Sequence, residues 1–286
     1  MTISTVPPPE KVVEAAPARR GGRTAAAALG RGARNTGWLL VGCAALVVLW
    51  WLAATRADGV PTPAQGARTL VAMLADPFYD NGPNDKGIGL QLAISLQRVF
   101  AGFVLAALVG VPAGLLVGAS RRAWLAINPI VQVLRPVSPL AWFPIWLVVL
   151  KDAAQASVFV IFITALWPTL INTAAGAAAI PADQRNVARV FRFGRAAYVR
   201  HVLVPNALPS VITGLRLSMG IAWMVIVAVE MLSGNSGVGF FVWDSYNGGK
   251  LDAVIAAIVL IGLIGFALDA VLLRLSRRVA IEEVQP

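Results

Sequence analysis

Six long apolar segments, separated by polar stretches, dominate the hydrophobic pattern of the chain. They cover residues 38–55, 96–118, 129–150, 156–177, 207–232 and 252–273, and each is near the ~20 residues that a helix needs to cross a bilayer. Residues 62–75, after Pro61, have the pattern of a short amphipathic helix, and the Asp-, Asn-, Gly- and Pro-rich run 76–89 is typical of a loop. The pattern predicts an all-α membrane protein with six transmembrane helices.

The N-terminal residues differ from the rest of the chain in composition. Residues 1–37 are rich in Pro, Ala and Arg and have no apolar periodicity, which is typical of disorder. We therefore expect a disordered basic cytoplasmic tail at 1–37 and a transmembrane domain at 38–286. A cleaved signal peptide is the alternative, although the first apolar run is long, rich in Trp and has no clear small-x-small exit site.

Composition and charge agree with a membrane protein. Hydrophobic residues make up 58% and charged residues 13% of the chain, whereas soluble domains have roughly 25% charged residues. The net charge of +10 raises the question of nucleic acid, but the basic residues alternate along the chain. With the N-terminus inside, 16 of the 24 Lys and Arg residues lie in inner loops and tails and five in outer loops. The positive-inside rule then predicts that both termini are cytoplasmic. Because topology accounts for the excess of basic residues, we expect no nucleic-acid partner.

A basic segment at about 181–205, between the fourth and fifth apolar segments, interrupts this pattern. Charged side chains are costly in hydrocarbon, so the segment is expected to form short helices at the cytoplasmic surface. Val187, Val190 and Phe191 recur at helical spacing, and Phe193-Gly194 is expected to separate two helices. Such a segment can bind lipid headgroups or dock a soluble partner, and the pattern favours docking.

This segment resembles the cytoplasmic coupling loop of ABC importer permeases, the EAA motif. Anchored on Pro205, the aliphatic position of the motif falls on Val202, its Gly on Arg192, and its Glu-Ala-Ala on Asn186, Val187 and Ala188. The Glu and the Gly of the family are therefore absent. The resemblance implies that an ATP-binding subunit docks on Asn186, Val187, Ala188, Val190, Phe191, Arg192, Gly194, Arg195, Val202 and Pro205.

Further motifs extend the resemblance over residues 76–278. They include Gly-Leu-Arg at 214–216, Glu-Met-Leu at 230–232, GVGFFVWDSYN at 237–247 and INPIVQVLRPVSPLAWFPIWL at 127–147. These look like the permease subunits of nitrate ABC importers and of their cyanate and bicarbonate relatives. The resemblance implies a type I ABC importer permease fold in the bacterial inner membrane. It also implies a second permease copy, ATP-binding subunits that hold ATP and Mg, and a periplasmic or fused substrate-binding protein.

The chain has no sign of catalytic chemistry of its own. It contains no G-x-x-x-x-G-K-[ST] loop, and its single His and single Cys cannot form a His/Cys metal site or a Cys–His pair. We expect a transport subunit with no catalytic residue, no metal and no cofactor in this chain.

Ionisable groups within the predicted spans are the candidates for a substrate path. Arg135 lies in the third segment, which Pro129, Pro136, Pro139 and Pro144 interrupt. Irregular backbone at membrane depth needs protein or a hydrated cavity around it, so Arg135 is the first candidate. Arg216, Arg98, Glu230 and Trp142 are the others. A structural ion pair is the alternative for each arginine, and an interface anchor is the alternative for Trp142.

Two further expectations concern packing. Glu230 follows Arg216 by 14 residues, roughly 21 Å along a helix, so these two residues cannot pair with each other on one helix. Gly110, Gly114 and Gly118 form a small-xxx-small ladder in the second segment, which allows a neighbouring helix to approach closely.

The main hypothesis is therefore the permease subunit of an ATP-driven nitrate importer. Cyanate, bicarbonate or an organosulfonate is the alternative substrate. An ATP-independent secondary anion carrier also has six spans and buried arginines, but the coupling loop and the absence of a clear repeat between the halves argue against it. A membrane-embedded enzyme is the third hypothesis, and it lacks a set of acid–base or ligand residues.

Overall fold

The computed structural model describes residues 24–57, 59–82 and 85–282, and within them the only regular structure is helical apart from one isolated bridge, Asp80 to Lys86. The chain divides into two units, Met1–Asp58 and Gly59–Pro286. The first unit contains α1 (Thr24–Arg56), whose apolar part is Leu40–Arg56. Residues 24–37 of the expected disordered tail are thus helical, and the remainder of that tail, 1–23, lies outside the described residues.

The second unit holds the remaining helices, which largely follow the apolar segments. They are α2 (Pro63–Ala75), α3 (Ile88–Ala119), α4 (Arg121–Leu134), α5 (Pro139–Leu150), α6 (Ala153–Ala178), α7 (Ala182–Val190), α8 (Arg195–Tyr198), α9 (Val204–Ser233), α10 (Val238–Asn247) and α11 (Leu251–Glu282). A π-helical stretch, Val199–Leu203, joins α8 to α9 without interruption.

Four helices of the described residues are long and apolar enough to span a membrane: α3, α6, the continuous run Arg195–Ser233, and Leu251–Ser276 of α11. The pair α4 and α5 passes the same criterion together but bends by 94° at its break, which gives a fifth candidate. The shorter apolar stretch Leu40–Arg56 corresponds to the first predicted span. The all-α membrane architecture is confirmed, and the count of six spans stays a prediction.

Two predicted boundaries are wrong, for one physical reason. The second predicted span began at residue 96, but α3 begins at Ile88, because its first two turns carry the polar residues Gln91 and Ser95 on a face that is buried inside the protein. The third predicted span, 129–150, is two helices, and the first begins at Arg121, where the Ser120 side chain accepts a hydrogen bond from the Ala123 amide. Apolar length alone does not detect polar turns at the ends of helices.

The centre of the second unit is formed by α3, α6 and α9, and the glycine ladder sets their spacing. A Cβ atom added at Gly114 would lie 2.6 Å from the Thr173 Cβ, and one at Gly118 would lie 2.2 Å from the Ala174 carbonyl oxygen. Real Cβ atoms do not approach so closely. The expected close approach is therefore present, and α6 is the helix that packs against the ladder.

Helices α2 and α10 complete the packing around α11. Thr62 and Gln65 form a capping box at the start of α2, and the Thr69 hydroxyl donates to Asp252 at 2.7 Å, which ties α2 to the first turn of α11. Helix α10 was not expected from the sequence. It follows a tight turn after α9, in which Gly234 and Gly237 have φ of 64° and 106°, values that favour glycine.

Candidate functional site

The basic segment folds as α7, a turn and α8, and it exposes both apolar and basic side chains. Val187, Val190 and Phe191 are 52%, 78% and 71% exposed. Asn186, Arg192, Gly194, Arg195 and Pro205 are exposed as well. Large apolar side chains beside arginines at the end of a membrane span are suited to contact a protein surface. These eight residues are the exposed members of the predicted docking set, and we call them the docking face.

Two residues that were expected to dock face the interior instead. Ala188 and Val202 are 5% and 8% exposed and pack in a cluster with Ile180, Leu203 and Ala207. They attach the segment to the ends of α6 and α9. The spacing of apolar residues could not distinguish these two buried residues from the exposed ones, because the segment carries apolar residues on both its inner and its outer side.

Arg192, in the turn between α7 and α8, has a left-handed backbone conformation with φ of 50°. The Phe193 amide donates to the Ala188 carbonyl and the Arg192 amide to the Arg189 carbonyl, which is the Schellman pattern of helix ends. This position corresponds to the Gly of the coupling motif. The backbone therefore keeps the conformation that favours glycine although the residue is Arg.

Arg135 lies at the 94° break between α4 and α5, where its side chain is exposed to a groove of about 350 Å³. Trp142 of α5, Thr164 and Trp167 of α6 and Met224 of α9 also line this groove. The guanidinium of Arg135 makes no ion pair or side-chain hydrogen bond with any residue that the structure describes. The structure thus brings together Arg135 and Trp142, two of the predicted pathway residues.

Arg216 opens on a neighbouring cavity of about 610 Å³ and has a counter-ion. Its Nε and Nη2 atoms donate to the two carboxylate oxygens of Asp269 on α11, at 2.6 and 2.8 Å. Both side chains are partly exposed, at 39% and 49%. Ile221 and Met224 line this cavity and the Arg135 groove alike, so the two spaces adjoin along one face of α9.

Arg98 and Glu230 lie apart from that groove in a buried polar cluster that joins α3, α9 and α10. Arg98 Nη1 donates to Glu230 Oε1 at 2.9 Å and to the Ser236 carbonyl at 2.7 Å. Ser95 Oγ and the Gly239 amide donate to Glu230 Oε2 at 2.7 and 3.1 Å. Glu230 is 0% exposed. Arg98 therefore forms a structural ion pair, which was the alternative to a role in the substrate path. The pair involves both Arg98 and Glu230.

The sequence did not indicate which partners these charges have. Asp269 lies within the last predicted span, and its pairing with Arg216 joins positions 53 apart. Ser95 and Gln91 were not singled out, although Gln91 Oε1 accepts from the Gly237 amide at 2.7 Å. The glycines at 237 and 239 were the feature of the sequence that could have indicated a close contact here. A Cβ at Gly237 would lie 2.1 Å from Glu230 Cδ, so only glycine fits there.

Comparison with known proteins gives a consistent result. Residues 92–281 match the family of binding-protein-dependent transport system inner membrane components. The chain is 44% identical to the nitrate import permease protein NrtB of Synechocystis sp., over 80% of this chain and 84% of the relative. It is 42% identical to the bicarbonate transport system permease protein CmpB of Synechococcus elongatus, over 83% and 87%. The inward-facing MetNI methionine ABC transporter has a similar fold, with a TM-score of 0.60 and 18% identity over 67% of this chain and 95% of that chain.

Proposed function

Since the chain belongs to the family of binding-protein-dependent transport system inner membrane components, we propose that it is the permease subunit of an ATP-driven importer that carries nitrate into the cytoplasm. One observation supports the substrate class most directly. Of the three arginines within the spans, Arg135 alone has no counter-ion among the described residues, and it faces a groove. A desolvated oxyanion needs charge-assisted donors, and the planar guanidinium suits a trigonal anion.

ATP binding and hydrolysis belong to partner subunits, because permeases of this family are not enzymes. The docking face receives the ATP-binding subunit, which holds ATP and Mg. From Arg195 to Ser233 the chain is one helical run of 39 residues, and it carries Arg216, Ile221 and Met224 beyond its docking end. A displacement imposed on α8 therefore reaches the groove through a single rigid element, which supports a two-state, rigid-body switch of the path.

The remaining partners follow from the same role. Leu217, Gly220 and Met224 leave an exposed stripe on α9 beside the groove, and a second copy of the permease closes the path against it. A homodimer gives each half of the path one free arginine. A periplasmic or fused binding protein delivers the anion at the opposite end, membrane lipid surrounds the spans, and both termini are cytoplasmic.

Bicarbonate is the second candidate substrate, because a bicarbonate permease is almost as similar to this chain as the nitrate permease is. Both anions are planar oxyanions of one negative charge, so Arg135 suits either. Cyanate and organosulfonates stay as weaker alternatives. Membership of a binding-protein-dependent family argues against the ATP-independent carrier.

The test is uptake of labelled nitrate into proteoliposomes that hold the full complex with its binding protein. Loss of a hydrogen bond to a charged group costs about 1.5–3 kcal/mol, so Arg135→Gln is expected to lower uptake roughly 10- to 100-fold. Arg135→Lys keeps the charge but loses the planar arrangement of guanidinium donors, so partial uptake is expected. Arg122→Gln, which removes an exposed arginine outside the groove, is the matched control.

Two outcomes would contradict the proposal. Uptake at the wild-type rate by Arg135→Gln would show that this arginine is no part of the path. Labelled bicarbonate that is carried well, while nitrate neither enters nor competes, would move the assignment to the second candidate.

A further inference from the structure

A second basic cavity lies at the end of the bundle that carries the docking face, away from the groove. It has a volume of about 520 Å³ and lies between the last turns of α3 and α6, the start of α4, and α7. Gly118, Ala174 and Ala178 form a wall without bulky side chains, and Arg121, Trp124 and Arg185 complete the lining. Residues from four separate helices thus surround one space.

The charge of this cavity is uncompensated. Arg121 and Arg185 are both exposed, and neither makes an ion pair or a side-chain hydrogen bond with a described residue. Helix α4 begins with Arg121 and Arg122 and has no acidic residue in its first turn. Cations at the positive end of a helix dipole are unfavourable by about 0.3–1 kcal/mol each. An anion bound between Arg121 and Arg185 would therefore stabilise this arrangement.

The geometry points to the phosphate of an anionic phospholipid as that anion, and we propose that this cavity is a headgroup site in the cytoplasmic leaflet. The choice of leaflet rests on the proposed function, which puts the docking face in the cytoplasm. Basic pockets between spans on this side suit acidic headgroups.

Two features favour a lipid over a free anion. Trp124, 37% exposed at the cavity, is the residue type enriched at headgroup level. Leu125 and Val133 of the same helix are 64% and 69% exposed, so α4 continues from the cavity as a surface for acyl chains.

The position of the site has a mechanical consequence. Arg185 lies on α7, which also carries Val187 and Val190 of the docking face, whereas Arg121 lies on α4, which ends at the Arg135 break. A phosphate bound by both arginines links the docking helix to the helix that leads to the groove. ATP turnover of the complex is therefore expected to depend on acidic lipid.

The test compares lipid retention by the full complex, purified with its ATP-binding subunits into nanodiscs of phosphatidylcholine with or without phosphatidylglycerol. Each arginine near an acidic membrane surface contributes roughly fivefold in affinity. The double variant Arg121→Gln/Arg185→Gln is thus expected to retain about 25-fold less phosphatidylglycerol and to lose its stimulation by this lipid. Arg122→Gln removes an equal, adjacent charge that does not line the cavity, and it is expected to behave as wild type.

A second variant removes the space and keeps the charges. Ala178→Phe fills the cavity while both arginines remain, and it is also expected to lose selective retention. Its normal assembly with the ATP-binding subunits, measured by co-purification, shows that the loss is not a failure to fold.

Several results would overturn the proposal. Retention that is unchanged in the double variant and in Ala178→Phe would do so. Equal losses of lipid retention in Arg122→Gln and in the single variants Arg121→Gln and Arg185→Gln would show that diffuse surface charge, and no defined site, binds the lipid. Displacement of phosphatidylglycerol by millimolar inorganic phosphate or nitrate would assign the cavity to a free oxyanion. All of these readouts are independent of nitrate uptake, so they separate this proposal from the proposed function.

Discussion

The buried pair Arg98–Glu230 gives the sharpest prediction about stability. Glu230→Gln keeps the size of the side chain and removes its charge. The Gln amide presents either an oxygen or an NH₂ group to Arg98, whereas the carboxylate accepts from Arg98, Ser95 and the Gly239 amide together. When the NH₂ group faces Arg98, this arginine keeps only the Ser236 carbonyl and hydroxyl as acceptors. In either orientation its charge is buried without a counter-ion.

The expected loss follows from this geometry. Removal of one partner of a buried pair costs about 3–5 kcal/mol, and we take roughly 3 kcal/mol because the neutral Gln still accepts one or two of the three hydrogen bonds. For a domain of this size that loss corresponds to a fall of about 6–12 °C in Tm. The measurement is thermal unfolding of the purified permease complex in detergent.

A control and a mutant cycle make the prediction specific. Asp269→Asn breaks the Arg216–Asp269 pair, whose side chains are 39% and 49% exposed, and a Tm close to that of wild type is expected there because solvent screens an exposed pair. In the cycle of Arg98→Gln with Glu230→Gln, the double variant is expected to be more stable than the sum of the single losses implies. A Tm within 2 °C of wild type for Glu230→Gln, or strict additivity, would refute the argument.

Three other predictions concern the glycine ladder, the coupling turn and the outer loop. Gly118→Leu forces α3 away from the Ala174 carbonyl, so the free energy of unfolding is expected to fall by about 1–3 kcal/mol. An unchanged Tm in the same thermal assay would contradict this. Arg192→Gly relieves a left-handed residue and is expected to stabilise the permease by about 1 kcal/mol, whereas a lower Tm would mean that the Arg side chain holds the turn. The Lys86 ammonium and the Gly82 amide lower the pKa of Asp80, so the order that they give this loop is complete above the usual carboxyl range and is lost as the pH falls through the lowered pKa. Amide protection factors of the loop, corrected for the intrinsic pH dependence of exchange, are expected to fall over that range, and constant protection factors would contradict this.

Much of the architecture could be predicted because a membrane span is a local property. Length and hydropathy located the cores of the long helices, and proline placed the break near Arg135. The small-xxx-small ladder in α3 indicated a close contact before its partner, α6, was known. In each case the physical cause lies within a window of some twenty residues.

Pairing between helices could not be predicted, because it depends on how distant segments turn towards each other. Arg98 and Glu230 are 132 positions apart, and Arg216 and Asp269 are 53 apart. The sequence could only exclude a pair between Arg216 and Glu230 on one helix. Helix α10 was missed for a related reason: its ten residues lie between two strong apolar segments, and its start depends on contacts of Gly237 and Gly239 with Glu230.

The distribution of counter-ions has a consequence for the path. A transport site must attract its ion and also release it. If Arg135 and Arg216 were both free on the adjoining cavities of α9, two full charges would hold one anion, and release would be slow. Asp269 neutralises Arg216 through a bidentate pair that is still open to the cavity, so this arginine is available to an anion only in competition with a carboxylate. In the path that we propose, Ile221 and Met224 lie between the unpaired Arg135 and the paired Arg216, and we expect the affinity for the anion to be lower at Arg216 than at Arg135.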